Sequence, residues 1–165
     1  NAGTLVMNGR SSVTGNRTAI GGGAGIYNTG IATLNGHASV ARNEARNRGG
    51  AGAGILNKGT LTVNERSVVY GNTAGQPGGG IYNTGTVTLT DQSEVHSNTA
   101  YRGGGIANSG GTVILNRHAS VTDNTSTQVD ALGSGGGIYS GGGGVVVGAQ
   151  GRVYDNIPDQ CYPGC

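Results

Sequence analysis

Three short motifs recur in fixed order along this chain, and their spacing limits the folds open to it. The first, GIYN or a variant, has its isoleucine at Ile26, Ile55, Ile81, Ile106 and Ile138. The second, VxxN, has its valine at Val13, Val40, Val69, Val95, Val121 and Val153. Between them, each time after a glycine, lies a third: TLVM, IATL, TLTV, TVTL, TVIL and VVVG. From each Ile to the next VxxN valine is 14 or 15 residues, whereas the return from the VxxN asparagine to the next Ile takes 8 to 14. Two corners are therefore fixed in length and one is elastic. Three short strands per repeat of roughly 25 to 32 residues, each alternating at period 2, match one coil of a three-faced parallel β-solenoid. Six sets spaced about 4.8 Å apart predict a rod on the order of 29 Å long, stabilised by neighbour contacts.

Composition excludes the alternatives. Of 165 residues 36 are Gly, Phe and Trp are absent, and 11% are charged, so an ordinary layered core is out of reach. Collagen requires Gly at every third position, and disorder requires high net charge, whereas this chain carries +2. No Pro-rich, Ser-rich or charged linker divides the sequence, which predicts a single domain over 1–165, its first coil incomplete and 157–165 a C-terminal cap. The ten Lys and Arg are scattered singly, so no footprint for nucleic acid is expected. The apolar runs are far too short for a membrane span.

Inward positions are expected to be Ile, Val and Leu, with Ala38, Ser67, Ser93 and Ala119 where the bore narrows. Asn16, Asn43, Asn72, Asn98, Asn124 and Asn156 close one strand, and Asn28, Asn57, Asn83 and Asn108 another. Inward asparagines at such corners can bond a neighbouring backbone and the next asparagine in the stack. That role speaks against glycosylation at the NRT of Asn16 and the NTS of Asn124. GxGxxG-like matches among the glycines lack the strand-turn-helix setting of a nucleotide site, and no cofactor is expected. Cys161 and Cys165 either close a small disulfide loop or supply part of a metal site. Because no His or Cys stands beside them to complete four ligands, the bridge is favoured, with no metal. A bridge implies an oxidising place, secreted or on the cell surface.

Paired motifs of the form GG-small-Ile and aromatic-x-x-Asn, seen in GGGIYN at 78–83 and GGGIAN at 103–108, resemble the polymorphic outer-membrane-protein type repeat. The second motif departs from that pattern, with Val where the family often has Phe. The resemblance covers nearly the whole chain and implies a bacterial, secreted or surface-displayed right-handed parallel β-helix, sometimes adhesive. It implies no particular reaction. The tail DQCYPGC is similar to those of secreted actinobacterial β-helix proteins. Because the chain begins at the third motif, an open first coil is expected, as in a processed precursor or an end covered by another chain.

Function must then sit on outward columns. In the third motif these are taken as Thr4 and Val6, Ile31 and Thr33, Thr60 and Thr62, Thr86 and Thr88, Thr112 and Ile114, Val145 and Val147. All twelve are β-branched and none is charged. β-propensity accounts for the branching but not for the missing Lys, Glu and Arg, and uncharged patches tend to contact something. Self-association or contact with a missing precursor segment is one expectation. Ice is the alternative, because Thr at i and i+2 on successive coils is similar to the Thr-x-Thr arrays of β-solenoid antifreeze proteins.

A second column, Tyr27, Leu56, Tyr82, Ala107 and Tyr139, suggests polysaccharide binding through Tyr27, Tyr82 and Tyr139. Catalysis rests on Asp123 and Asp155, which precede ladder asparagines in successive coils at about the separation of a retaining glycosidase pair. The 125–137 loop, with Asp130, could wall such a cleft as in a polysaccharide lyase or glycoside hydrolase. Against this, Asp is a favoured corner residue, and Glu65 and Asp91 pair in the same trivial way. His37 and His118 share a turn position with Arg10, Arg66, Gln92 and Gln150, so that position requires polarity and not imidazole; His96 is alone. The expectation is a non-enzymatic, rigid structural, adhesion or binding module.

Overall fold

The computed structural model describes residues 1–46, 50–128 and 133–164, and among these it contains strands and turns and no helix. Each described strand pairs parallel with its counterparts in the adjoining coils, which makes the chain a parallel β-solenoid of about six coils. The third motif forms a six-stranded threonine sheet: Thr4–Met7, Ile31–Leu34, Thr60–Val63, Thr86–Leu89, Thr112–Leu115 and Gly144–Val147. VxxN forms a six-stranded valine sheet from Ser12–Thr14 to Arg152–Tyr154. GIYN forms an isoleucine sheet from Ile26–Asn28 onward, and Cys161–Tyr162 in the tail is its sixth strand. There Cys161 takes the register of Ile138, and Tyr162 that of Tyr139.

A fourth, smaller sheet lies in the elastic corner: Glu44–Ala45, Thr73–Ala74, Thr99–Ala100 and Thr125–Ser126. Three motifs predict three strands per coil, so this sheet is an addition. It has a satellite core of its own, in which Ala45, Ala53, Ala74 and Ala100 pack together. Ala24 packs against this cluster, so its apolar members are all alanines.

The main core is a set of columns. Ile55, Ile81, Ile106 and Ile138 are fully buried, as are Leu34, Leu61, Leu89 and Leu115 and the VxxN valines Val40, Val69, Val95 and Val121. Ala38, Ser67, Ser93 and Ala119 are buried too, as expected where the bore narrows. The Ser67 and Ser93 hydroxyls have no hydrogen-bond partner among the described residues.

Asparagine ladders hold two corners. In the first, the backbone N–H and the side-chain Nδ2 of each asparagine both donate to Oδ1 of the next, at 2.9–3.0 Å from Asn16 through Asn156. Gln160 Oε1 receives the last pair. In the second ladder, Asn28, Asn57, Asn83 and Asn108 are linked at 2.7–2.9 Å, and Asn1 extends it by donating to Asn28 at 2.8 Å. The opening NAG thus occupies the place of NTG at 28–30. Asn124 is buried, with its amide fully committed, while Asn16 at the first rung is exposed.

The glycine before each Ile explains itself by proximity. A Cβ on Gly80 would lie 2.7 Å from the Gly105 carbonyl oxygen and 3.0 Å from Asn98 Nδ2, so the coil spacing and the ladder both demand glycine there.

Candidate functional site

The threonine sheet is parallel and in register throughout. Thr60 pairs with Thr86 and Thr86 with Thr112; Thr33 pairs with Thr62 and Thr62 with Thr88. Six threonines are therefore contiguous, three in each outward column, over coils two to five. Their inward neighbours Leu61, Val63, Val87 and Leu89 are fully buried, which fixes the pleat and aims the hydroxyls and methyls outward. Around the block stand Val6, Ile31 and Val146, exposed at 50%, 53% and 54%.

The sixth strand corrects the expected face. Thr112 pairs with Gly144 and Ile114 with Val146, so Gly144 and Val146 are the outward pair. Val145 and Val147 instead pack against the core. Three consecutive valines carry no phase of their own; pairing with Val113 and Leu115 sets it. The face holds eleven β-branched residues and one glycine, still without a charge.

The valine sheet offers a control within the same molecule. Its outward positions include Glu94, His96, Arg152, Tyr70 and Tyr154. Tyr70 and His96 stack with ring centroids 5.2 Å apart, and Arg42 lies 5.9 Å from the Tyr70 centroid. Strand propensity acts on both sheets alike, yet only one of them excludes charge.

On the isoleucine sheet, whose tyrosine column suggests polysaccharide binding, partly exposed rings alternate with buried side chains. Tyr27 is 42% exposed and Tyr82 and Tyr139 are half-buried, but Leu56 and Ala107 between them are buried at 8% and 1%. A Cβ on Gly22 would meet Ala51 O at 2.0 Å and Leu56 at 2.6 Å, whereas one on Gly21 or Gly142 would meet nothing within 4 Å. The rings are also engaged. Tyr139 stacks on Tyr162 at 6.3 Å, Arg102 covers Tyr139 at 5.3 Å, and Lys58 lies 5.4 Å from the Tyr27 centroid. A hydrogen bond to Tyr27 is the main cause of the upward shift of the Lys58 ammonium.

Asp123 and Asp155 are exposed at a turn whose residue has positive φ in every coil: Gly15, Arg42, Gly71, Ser97, Asp123 and Asp155. Their φ values, 54° and 53°, match those of Arg42 and Ser97, so left-handed backbone is the common requirement of this column. Thr122 Oγ1 donates to Asp123 Oδ2 at 3.1 Å. Asp130 lies outside the described residues. The described part of the 125–137 loop folds inward, with Ser134 Oγ donating to the Gln128 carbonyl at 2.8 Å. Cys165 is likewise outside the described residues; Cys161 packs against the core from the last strand.

The turn between the threonine and valine sheets forms an open groove of about 540 Å³, lined in part by Glu65, Asp91, Arg117 and His118. Arg117 pairs with Asp91 at 3.3 Å, and Arg66 Nε donates to Gln92 Oε1 at 2.9 Å, so neighbouring coils answer each other's polarity. The carboxylate column Glu65 and Asp91 was visible in the sequence; the arginine closing it was not paired with it.

The architecture defines the class: a glycine-rich parallel β-solenoid with two asparagine ladders. Comparison with protein-family models, curated proteins and solved structures returned no match.

Proposed function

We propose that this chain is a rigid, non-enzymatic module that binds through its threonine sheet. The observation carrying that reading is the contrast between faces. One solvent-facing sheet keeps all of its outward positions free of charge, while its neighbour on the same rod carries Glu94, His96 and Arg152. Exposed uncharged patches of this kind mark contact surfaces. The fold supports rigidity, since every coil is tied to the next by sheets and ladders.

The GGGIYN and VxxN motifs support membership of the polymorphic outer-membrane-protein type repeat class, and with it a right-handed helix and a bacterial origin. Adhesion or display at the cell surface or outside the cell suits both that class and a bridge between Cys161 and Cys165.

Sedimentation at millimolar concentration tests the binding face. Weak association of the native chain, confined to the highest concentrations as a face of this size allows and lost in Thr62→Lys and Thr88→Lys, is the expected result. A strictly monomeric native chain, or association that both variants retain, removes self-association through this sheet.

A further inference from the structure

From the size and pattern of the threonine sheet, we infer that its ligand is ice; this rests on the reading of that sheet as the binding face. Six strands at about 4.8 Å and four residues at about 3.3 Å give a face of roughly 29 by 13 Å, or about 380 Å². A stable protein interface buries about 800 Å² of accessible surface on each partner, so the footprint of this sheet alone is small for a lasting dimer.

A crystal of water makes different demands. Its surface is flat, uncharged and periodic, and it presents hydroxyl groups at a fixed spacing. The threonine block matches the lack of charge and the periodic hydroxyls. Thr60, Thr86 and Thr112 form one hydroxyl and methyl column and Thr33, Thr62 and Thr88 the other. Spacing within a column is that of paired strands, about 4.8 Å, and between columns about 6.7 Å, two residues along a strand. β-branched side chains have restricted χ1, so the grid is held with little rotamer entropy left to lose on binding. Ile31, Ile114, Val6 and Val146 continue the methyl surface without adding a group that would hold disordered water. Small area is no handicap for this ligand, because growing ice surrounds what it has captured and release then requires melting.

The same face would be spoiled by one lysine, whose ammonium holds liquid-like water above the sheet. The experiment is partition of the purified chain into a slowly growing ice hemisphere, with native, Thr62→Lys and Thr88→Lys compared against Ser12→Lys on the valine sheet. Circular dichroism confirms that each variant is folded. The expected result is strong enrichment of native and Ser12→Lys in the ice, with at least a tenfold loss for the two threonine variants. Native chain excluded from ice overturns the inference. So does equal incorporation of all four, or a loss with Ser12→Lys as large as with Thr62→Lys. Association in sedimentation that depends on Thr62 and Thr88, with no ice incorporation, would keep the binding face and discard ice.

Discussion

Gln160 Oε1 accepts hydrogen bonds from both the backbone N–H and the side-chain Nδ2 of Asn156, each at 3.0 Å, and so ends the first asparagine ladder as a seventh rung. The glutamine is exposed, whereas Asn98 in mid-ladder is fully buried. Removing an internal rung orphans groups on both sides, at about 1–3 kcal/mol for each buried group. Asn98→Leu is therefore expected to cost on the order of 3 kcal/mol or more, and Gln160→Leu about 1 kcal/mol, because water can reach the end of the stack. Urea denaturation of the two variants measures the ratio; equal losses would mean the ladder is no stronger inside than at its end.

Ser67 and Ser93 lie in adjacent coils, fully buried, with hydroxyls that no group satisfies among the described residues. A buried unpaired hydroxyl carries a desolvation penalty, and alanine fills nearly the same volume without it. Ala38 and Ala119 already stand in this column. Ser67→Ala and Ser93→Ala are each expected to raise stability by about 1 kcal/mol. Differential scanning calorimetry would show it as a higher melting temperature, and a lower one would reveal an unseen partner for the hydroxyl.

Much of this architecture was legible in the sequence because stacking turns each structural requirement into a column. The inward Ile positions, the ladder asparagines and the small bore residues recur at nearly constant spacing, so each coil corroborates the last. Phase was lost where that redundancy fails. The run GGGGVVVG has neither alternation nor a threonine to anchor it, and its register comes only from pairing with Thr112–Leu115. The fourth sheet was also missed, although NTA at 72–74 and 98–100 repeats in plain view. Two residues are too few for a period, and only contact with the next coil makes them a strand. The tyrosine column was legible as outward positions, but the burial of Leu56 and Ala107 within it was not, because burial depends on packing between coils.

Two glycines on different sides of the coil should respond oppositely to substitution. Gly80 has the Gly105 carbonyl and Asn98 in the direction of a side chain, so Gly80→Ala is expected to cost roughly 1–3 kcal/mol by forcing coils apart. Gly144 has nothing within 4 Å, lies in a strand and is the one unbranched outward residue of the threonine sheet. Gly144→Thr is expected to gain from a few tenths to about 1 kcal/mol through lower unfolded-state entropy and better strand propensity. Thermal denaturation of both distinguishes them, and a destabilising Gly144→Thr would argue against the open outward position assigned to it.

The turn before each ladder asparagine can be tested by what its backbone tolerates. Asp155 has φ 53°, a conformation that glycine adopts freely and that costs a non-glycine residue roughly 1–2 kcal/mol. Asp tolerates it better than most, and β-branched residues worst. Asp155→Gly is thus expected to be neutral or stabilising by up to about 1 kcal/mol, and Asp155→Val to lose at least that much. Asp123, at φ 54°, should follow the same order with a smaller gain for glycine, since the Thr122 hydroxyl loses its acceptor. Stability ordered Gly, Asp, Val at both positions means that these aspartates are chosen for the corner. Valine tolerated as well as glycine would leave the left-handed turn unable to explain them, and the case for a carboxylate pair with a chemical task would reopen.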